Sequence, residues 1–259
     1  GTSEVKFPMH FSDCNLIYGL PSERKPNMPV PDIAAVKEEM AAAGIRRALV
    51  RREEQSCAGA ILGNRLVADD VRDEDDLWGV WAILPSHTHE LPGPADIPRE
   101  MKHNGIAAWQ FLPDIHRYCF HPRVLGDWLE VAQARSIPVL VDLGAGIGDR
   151  DLLGVLEVFP ELIAVISVDS VWPMDRRVRP FLREFPNCML ELSNYFGDGT
   201  LESLVGEYGS DRILFGSGFY RNHFGGYMLM LKHAEIDEES KAKIASGNLE
   251  RLIAGVDYD

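Results

Sequence analysis

Short apolar runs rich in Val, Ile and Leu alternate along the chain with longer segments whose apolar residues follow helical spacing. The apolar runs predict eight β-strands, at 6–11, 45–51, 77–84, 105–112, 137–143, 162–168, 188–193 and 212–216. The longer segments predict helices, at 32–43, 96–103, 122–135, 150–158, 176–184, 199–208 and 237–254. Strands that alternate with helices are typical of parallel βαβ units.

Eight such units favour a closed (β/α)8 TIM barrel over an open doubly wound sheet. An open sheet usually has fewer strands and a glycine-rich first turn, and no GxGxxG motif follows the first predicted strand. A barrel of this kind takes roughly 250 residues. We therefore predict one TIM-barrel domain over residues 1–259, with Gly1 interpreted as a cloning remnant. Chemistry is expected at the carboxyl ends of the strands.

Charge and composition limit the classes of partner that the protein is expected to bind. The chain has 40 acidic and 26 basic residues, a formal net charge of −14. This balance argues against a nucleic-acid partner and against an anionic membrane surface, since both require clustered Lys and Arg. No apolar run approaches the ~20 residues of a membrane-spanning helix. No signal-peptide pattern is present, and the four cysteines form no CxxC pair, so we predict a cytoplasmic protein with reduced thiols.

Seven segments, taken in their joint order and spacing, carry a resemblance to a known family. They are GNRLVADDVRDEDDLWGVWAILP at 63–85, GIAAWQFLPD at 105–114, IPVLVDLGAG at 137–146, FPELIAVISVD at 159–169, FPNCMLELSNY at 185–195, DRILFGSGFY at 211–220 and GNLERLI at 247–253. Together they resemble the amidohydrolase-related TIM barrels, which include lactonases and decarboxylases. The resemblance implies a hydrolase, lactonase or decarboxylase acting on a small organic acid or its derivative, and makes a homodimer reasonable.

The segment 13–19 departs from the metal-binding motif of that family. Its first strand usually ends in Asp-x-His-x-His-x-Gly, and the two His residues bind a divalent metal. Here Asp13 and Gly19 stay in register, but Asn15 and Ile17 stand where the two His residues are expected. Isoleucine has no lone pair, and an asparagine amide is a poor ligand for a zinc-like ion.

The remaining ligand positions implied by the resemblance are also changed. Asp142 replaces the fifth-strand His, Val168 beside Asp169 replaces the sixth-strand His, and Gly218 replaces the eighth-strand Asp that binds metal and acts as base. We therefore expect no cofactor and no metal-bound water. Zinc or another divalent ion remains the less favoured alternative.

The favoured interpretation is a metal-independent enzyme with a small, acidic substrate. Asp142 and Asp169 follow successive strands and would form a carboxylate pair that raises one pKa, and Asp13 is the third catalytic candidate. The residues expected to bind substrate are Asn15, Arg51, Gln110, Trp109, His116, Asn194, Tyr195, Ser217 and Arg221. The structural alternative for the aspartates is that they cap helices or pair with Arg150 or Arg176.

A second interpretation is a barrel that has lost catalysis and binds a small molecule or a partner protein. Its glycine-rich loops at 196–200 and 216–227 would hold an anion, assisted by Arg221 and His223. A third interpretation is a rebuilt metal site. His87 and His89 would lie on the same side of an extended segment, and Asp142 or Asp169 would complete the ligand set.

Overall fold

The computed structural model describes residues 9–21, 32–169, 172, 174–195 and 197–259. Eight parallel strands follow one another around the sheet in chain order. They are β1 (Phe11–Tyr18), β2 (Ile45–Arg52), β3 (Leu77–Ile83), β4 (Ile106–Phe111), β5 (Val139–Asp142), β6 (Ala164–Ser167), β7 (Cys188–Glu191) and β8 (Ile213–Leu214).

The chain that follows β8 closes the sheet against β1. The Cys14 amide donates to the Phe215 carbonyl at 2.9 Å, and the Gly218 amide donates to the Asn15 carbonyl at 2.9 Å. Next to the second of these hydrogen bonds, Leu16 and Phe219 form a parallel bridge. The predicted (β/α)8 TIM barrel is therefore confirmed.

Helices connect the strands on the outside of the barrel. They are α1 (Ile33–Ala43), α2 (Glu54–Cys57), α3 (Ala60–Val71), α4 (Ile97–His103), α5 (Pro113–His116), α6 (Pro122–Ala134), α7 (Asp149–Val158), α8 (Asp175–Glu184), α9 (Thr200–Tyr208), α10 (Phe224–His233), α11 (Glu238–Ala242) and α12 (Asn248–Ala254). Among the described residues, no helix is both long enough and apolar enough to cross a membrane.

The core has two layers, as this architecture requires. One cluster of buried residues takes side chains from all eight strands and therefore fills the inside of the barrel, where α12 also contributes. The largest cluster lies between strands and helices, and joins Val50 and Val141 on strands to Leu125 and Leu152 on helices. Burial of both layers fixes the position of the strand ends, and thereby of the side chains they carry.

The sequence predicted no helix at α2, α3 or α5, and two further differences concern β1 and α10. The first strand, predicted at 6–11, covers Phe11–Tyr18, because polar residues of this strand point into the barrel and interrupt the apolar run that marks a strand. The second difference is α10, which lies partly in the predicted glycine-rich loop 216–227. Its adjacent Gly225 and Gly226 weaken the helical signal, whereas tertiary packing of Tyr227 and Leu231 supplies the stability.

Candidate active site at the barrel mouth

A cavity of about 270 Å³ lies at the carboxyl ends of the strands. Six residues that the sequence predicted for the site line it, and they come from six different strands or the loops that follow them. These residues are Asn15, Arg51, Asp142, Asp169, Asn194 and Arg221. The barrel therefore brings together side chains that are up to about 200 positions apart in the sequence, as expected for chemistry at this face.

The guanidinium of Arg51 is buried at this cavity and contacts three other strands. It donates to Asp142 Oδ2 at 2.9 Å and to Gln110 Oε1 at 3.3 Å through Nη1, and to Asn15 Oδ1 at 2.5 Å through Nη2. Its neighbour Arg52 instead pairs with Glu54 and Asp70. Successive residues of a strand point to opposite faces, so Arg51 belongs to the cavity network and the adjacent Arg52 does not.

Asp142 is ionised through its contact with Arg51. Burial alone would raise the pKa of this carboxyl, but the charge of Arg51 and a 2.5 Å hydrogen bond from Ser167 Oγ outweigh the effect of burial and lower the pKa from its usual value. The side chain is 34% exposed and faces the cavity. The sequence predicted a pair with Asp169 that raises one pKa; the structure pairs Asp142 with an arginine and lowers its pKa.

Glu191 at the end of β7 is the ionisable residue that the sequence reasoning missed. Its carboxyl is 2% exposed and accepts hydrogen bonds from Ser193 Oγ at 2.7 Å, from the Ser193 amide at 2.9 Å and from Asn15 Nδ2 at 3.3 Å. Burial raises its pKa to about 7. A glutamate within the apolar run of 188–192 was the signal in the sequence, because an apolar strand seldom buries a charge without a partner.

Asp13 and Ser217 join β1 to the chain after β8. Asp13 is fully buried and accepts hydrogen bonds from the Asn15 amide at 2.9 Å, the Ser217 amide at 3.0 Å and the Ser217 hydroxyl. Burial raises the pKa of Asp13. Neither residue is among those that line the cavity. Their hydrogen bonds thus help to join β1 to the chain after β8 and so to close the barrel. The sequence instead predicted catalysis for Asp13 and substrate binding for Ser217.

Three further predicted substrate-binding residues lie outside the cavity. Trp109 is buried between strands and helices, with its ring 5.4 Å from that of Trp128. The hydroxyl of the buried Tyr195 donates to Asp175. His116 Nε2 lies 2.9 Å from the Gln55 carbonyl oxygen. These contacts explain the three residues through packing and hydrogen bonding within the fold.

Gln110 belongs to the hydrogen-bond network of Arg51, and Arg221 lines the cavity. Gln110 is buried and accepts from Arg51, and its own amide donates to Gln55 at 2.9 Å. Arg221 lies at the rim, where its side chain is 64% exposed and bonds Glu53 at 3.0 Å. A guanidinium has five N–H groups, and this described contact uses one of them. Arg221 is therefore placed to meet a ligand at the entrance.

The predicted His-x-His pair does not lie on an extended segment. His87 belongs to a 3₁₀ turn at Ser86–Thr88, and His89 follows it in the left-handed region at a φ of 56°. Both side chains are exposed. Within the part of the chain that the structure describes, no group of three or more His, Cys, Asp or Glu residues is arranged to hold a metal ion.

Comparison with solved structures finds the same barrel in other proteins. An uncharacterised TIM-barrel protein from Bordetella bronchiseptica is 22% identical, with a TM-score of 0.72 over 95% of this chain and 99% of the other. The 5-carboxyvanillate decarboxylase LigW from Sphingomonas paucimobilis is 12% identical, with a TM-score of 0.71 over 95% and 99%. At these identities the likeness concerns the fold.

A third solved structure was determined with a metal. The 5-carboxyvanillate decarboxylase of Novosphingobium aromaticivorans, in complex with manganese and 4-hydroxy-3-methoxy-5-nitrobenzoic acid, is 11% identical with a TM-score of 0.74, over 95% of this chain and 96% of the other. Among proteins of curated function, none matches this sequence. The sequence profile of the amidohydrolase family matches residues 16–254, nearly the whole chain. The protein therefore belongs to the amidohydrolase family.

Proposed function

We propose that this protein hydrolyses a lactone or ester of a small organic acid in the cavity at the barrel mouth, without a resident metal ion. The observation that carries the proposal is the Arg51 guanidinium, which donates to both Asn15 and Asp142. The family resemblance assigns these two residues to the metal-ligand positions of the first and fifth strands. A fixed positive charge of the chain itself thus lies between two positions where the family usually holds a cation.

The donor atoms at the remaining ligand positions do not fit a divalent ion. Ile17 and Gly218 offer no side-chain donor, and the oxygens of Asn15 and Asp142 already accept from Arg51. A divalent ion among them would be repelled by the guanidinium, and a catalytic zinc ion takes three ligands from the protein. The manganese of the Novosphingobium enzyme makes a divalent ion the alternative to be tested.

Asp142 is the residue that we assign to proton transfer. Its pKa is lowered, so the carboxylate is ionised at neutral pH and accepts a proton from a water molecule in the cavity. The water oxygen bonds to the carbonyl carbon of the substrate, the bond to the alkoxy oxygen breaks, and that oxygen takes the proton from Asp142. Arg221 at the rim is placed to bind the negative charge of the acid or of the developing oxyanion.

The ionisation of Asp142 favours hydrolysis over decarboxylation. Loss of carbon dioxide leaves a carbanion-like carbon that must receive a proton from an acid. A carboxylate held ionised by Arg51 has no proton to give at neutral pH. Glu191, with its pKa of about 7, carries one in part of the molecules, but it is buried and is not among the residues that line the cavity.

The test is turnover of a panel of lactones, esters and hydroxybenzoates by protein purified in the presence of a chelator. We expect turnover of a lactone or ester that is insensitive to the chelator and falls about 10²- to 10⁴-fold in Asp142→Asn. The matched control is Asp149→Asn, since Asp149 pairs with Arg177 on the outer helices and does not line the cavity. Activity that requires added zinc or manganese would overturn the metal-free mechanism.

The same panel separates an enzyme from a binding protein. If nothing is turned over, but a small acid raises the melting temperature of the wild type and not of Arg221→Met, the cavity binds without catalysis. Equal turnover in Asp142→Asn and the wild type would remove Asp142 from the mechanism. Turnover restricted to hydroxybenzoates would instead favour decarboxylation.

A further inference from the structure

A second hollow adjoins the cavity, with a volume of about 830 Å³. We call it the outer groove; it lies between the loop after β7 and the first turns of α10. Arg221 and Asn222 line both the cavity and the outer groove, so the two spaces share a wall. The other residues of the outer groove are Gly197, Asp198, His223, Gly226, Tyr227 and Met230.

The volumes of the cavity and the outer groove bear on the size of the substrate. Ligand sites of proteins usually have volumes of about 300–1,000 Å³. The cavity, at about 270 Å³, lies just below this range, whereas the cavity and the outer groove together slightly exceed its upper end. A substrate that used only the cavity would be very small, and a larger one can extend past Arg221 and Asn222.

The chemistry of the two spaces differs. The cavity contains Arg51, Asp142 and Asp169, which are charged. The floor of the outer groove is formed by α10, where the ring of Tyr227, the side chain of Met230 and the bare backbone of Gly226 are mainly apolar. A polar compartment joined to a largely apolar one matches a molecule with a polar head and an apolar extension.

Gly226 leaves space in the outer groove. A Cβ atom built at this residue meets no atom within 4 Å, and its backbone has no positive φ that would demand glycine. The next residue toward the N-terminus, Gly225, has the same freedom but does not line the outer groove. A larger side chain at Gly226 would therefore block the outer groove, and the same substitution at Gly225 is the matched control.

We propose that the outer groove is a second substrate subsite, which takes an apolar alkyl or aryl extension of the molecule whose lactone or ester group lies in the cavity. The proposal rests on the proposed hydrolysis and narrows its substrate class to acids and lactones with a side chain of several carbons. Arg221 and Asn222 lie at the junction of the two compartments, where the polar head meets the extension.

The experiment compares a series of γ-lactones from butyrolactone to decalactone. Burial of each added methylene group is worth about 0.8 kcal/mol, so we expect kcat/KM of the wild type to rise roughly fourfold per methylene. In Gly226→Leu the ratio of kcat/KM for the longest to that for the shortest lactone falls at least tenfold. In Gly225→Leu this ratio stays at the wild-type value. Thermal unfolding of both variants checks that the helix is retained.

The outcomes distinguish this proposal from the proposed hydrolysis. Equal kcat/KM along the series, or an unchanged ratio in Gly226→Leu, would overturn the subsite and leave hydrolysis standing. If no lactone or ester is turned over, calorimetric titration with butanoate to decanoate tests the groove by itself. Affinity that rises with chain length in the wild type and in Gly225→Leu, but not in Gly226→Leu, supports the subsite. Affinity independent of chain length overturns it.

Discussion

The Asn15 side chain connects the buried carboxyl of Glu191 to the buried guanidinium of Arg51. Its amide donates to Glu191 at 3.3 Å, and its carbonyl oxygen accepts from Arg51 at 2.5 Å. Because Arg51 also holds Asp142, a chain of four side chains leads from the titrating Glu191 carboxyl to the carboxylate in the cavity. Changes in charge at either end are therefore expected to affect the other end.

Replacement of Glu191 by Gln should change how stability depends on pH. The pKa of Glu191 is raised in the folded state, whereas in the unfolded chain it is near 4.5. The folded state therefore binds this proton more tightly, and the group favours folding at low pH. Its contribution is lost as the pH rises from 4.5 through about 7. Relative to wild type, Glu191→Gln should therefore gain on the order of 2 kcal/mol between pH 5 and 8.

Urea unfolding at the two pH values measures this difference. The constant cost of placing an amide at this position cancels in the comparison. Glu157→Gln, on the exposed face of α7, is the control for the loss of one negative charge. A stability difference between Glu191→Gln and wild type that is the same at pH 5 and pH 8 would contradict the raised pKa of Glu191.

The pH dependence of hydrolysis distinguishes Asp142 from Glu191. The Arg51 guanidinium lowers the pKa of Asp142 from its usual value, so the base is ionised throughout the neutral and mildly acidic range. We expect kcat/KM to show no decrease attributable to Asp142 within that range. A decrease centred near pH 7 that disappears in Glu191→Gln would instead show that Glu191 controls the site through Asn15.

Replacement of Arg51 by Lys should impair both catalysis and stability. Lysine has one ammonium group and cannot bridge Asn15, Gln110 and Asp142 with the geometry of a guanidinium. We expect kcat/KM to fall at least 100-fold. Asp142 is partly exposed, so solvent limits the loss of folding stability to about 1–3 kcal/mol.

The control for this change lies on the same strand. Arg47 of β2 is exposed and its guanidinium stacks over the ring of Trp78, so Arg47→Lys should change stability by less than about 0.5 kcal/mol. A specific sign of the role of Arg51 is the pKa of Asp142, which should rise in Arg51→Lys and move the acid limb of activity to higher pH. An unchanged pH profile would argue against the pairing of Arg51 with Asp142.

Gly216 is expected to tolerate no larger residue. A Cβ atom there would collide with the Glu191 carboxyl and come within 3.2 Å of Asn15 Cβ. Since Glu191 is held by Ser193 and Asn15, it has little freedom to move, and Gly216→Ala should cost about 1–3 kcal/mol. Gly206→Ala, on the open face of α9, should stabilise by about 0.5–1 kcal/mol. Thermal or urea unfolding measures both, and equal effects would contradict the close packing at Gly216.

The sequence predicted the site best where a strand ends in a polar residue. Asp142 follows the apolar run Val139–Val141, and Arg51 follows Leu49 and Val50, so both could be assigned to the barrel mouth from local pattern. Trp109 also lies near a strand end, yet it packs against Trp128. Local pattern gives the position along a strand, but it does not decide which large side chains the helices cover.

Hydrophobic periodicity is a property of neighbouring residues, and by itself it indicated the alternation of strands and helices from which the barrel could be predicted. The hydrogen bonds among Asn15, Arg51, Asp142 and Glu191 join strands that lie far apart in the sequence. They exist because the barrel closes and brings the strand ends around one cavity. Whether Asp142 met another carboxylate or an arginine, and whether Glu191 kept its proton, depended on that closure, since both charge pairing and burial are decided in three dimensions.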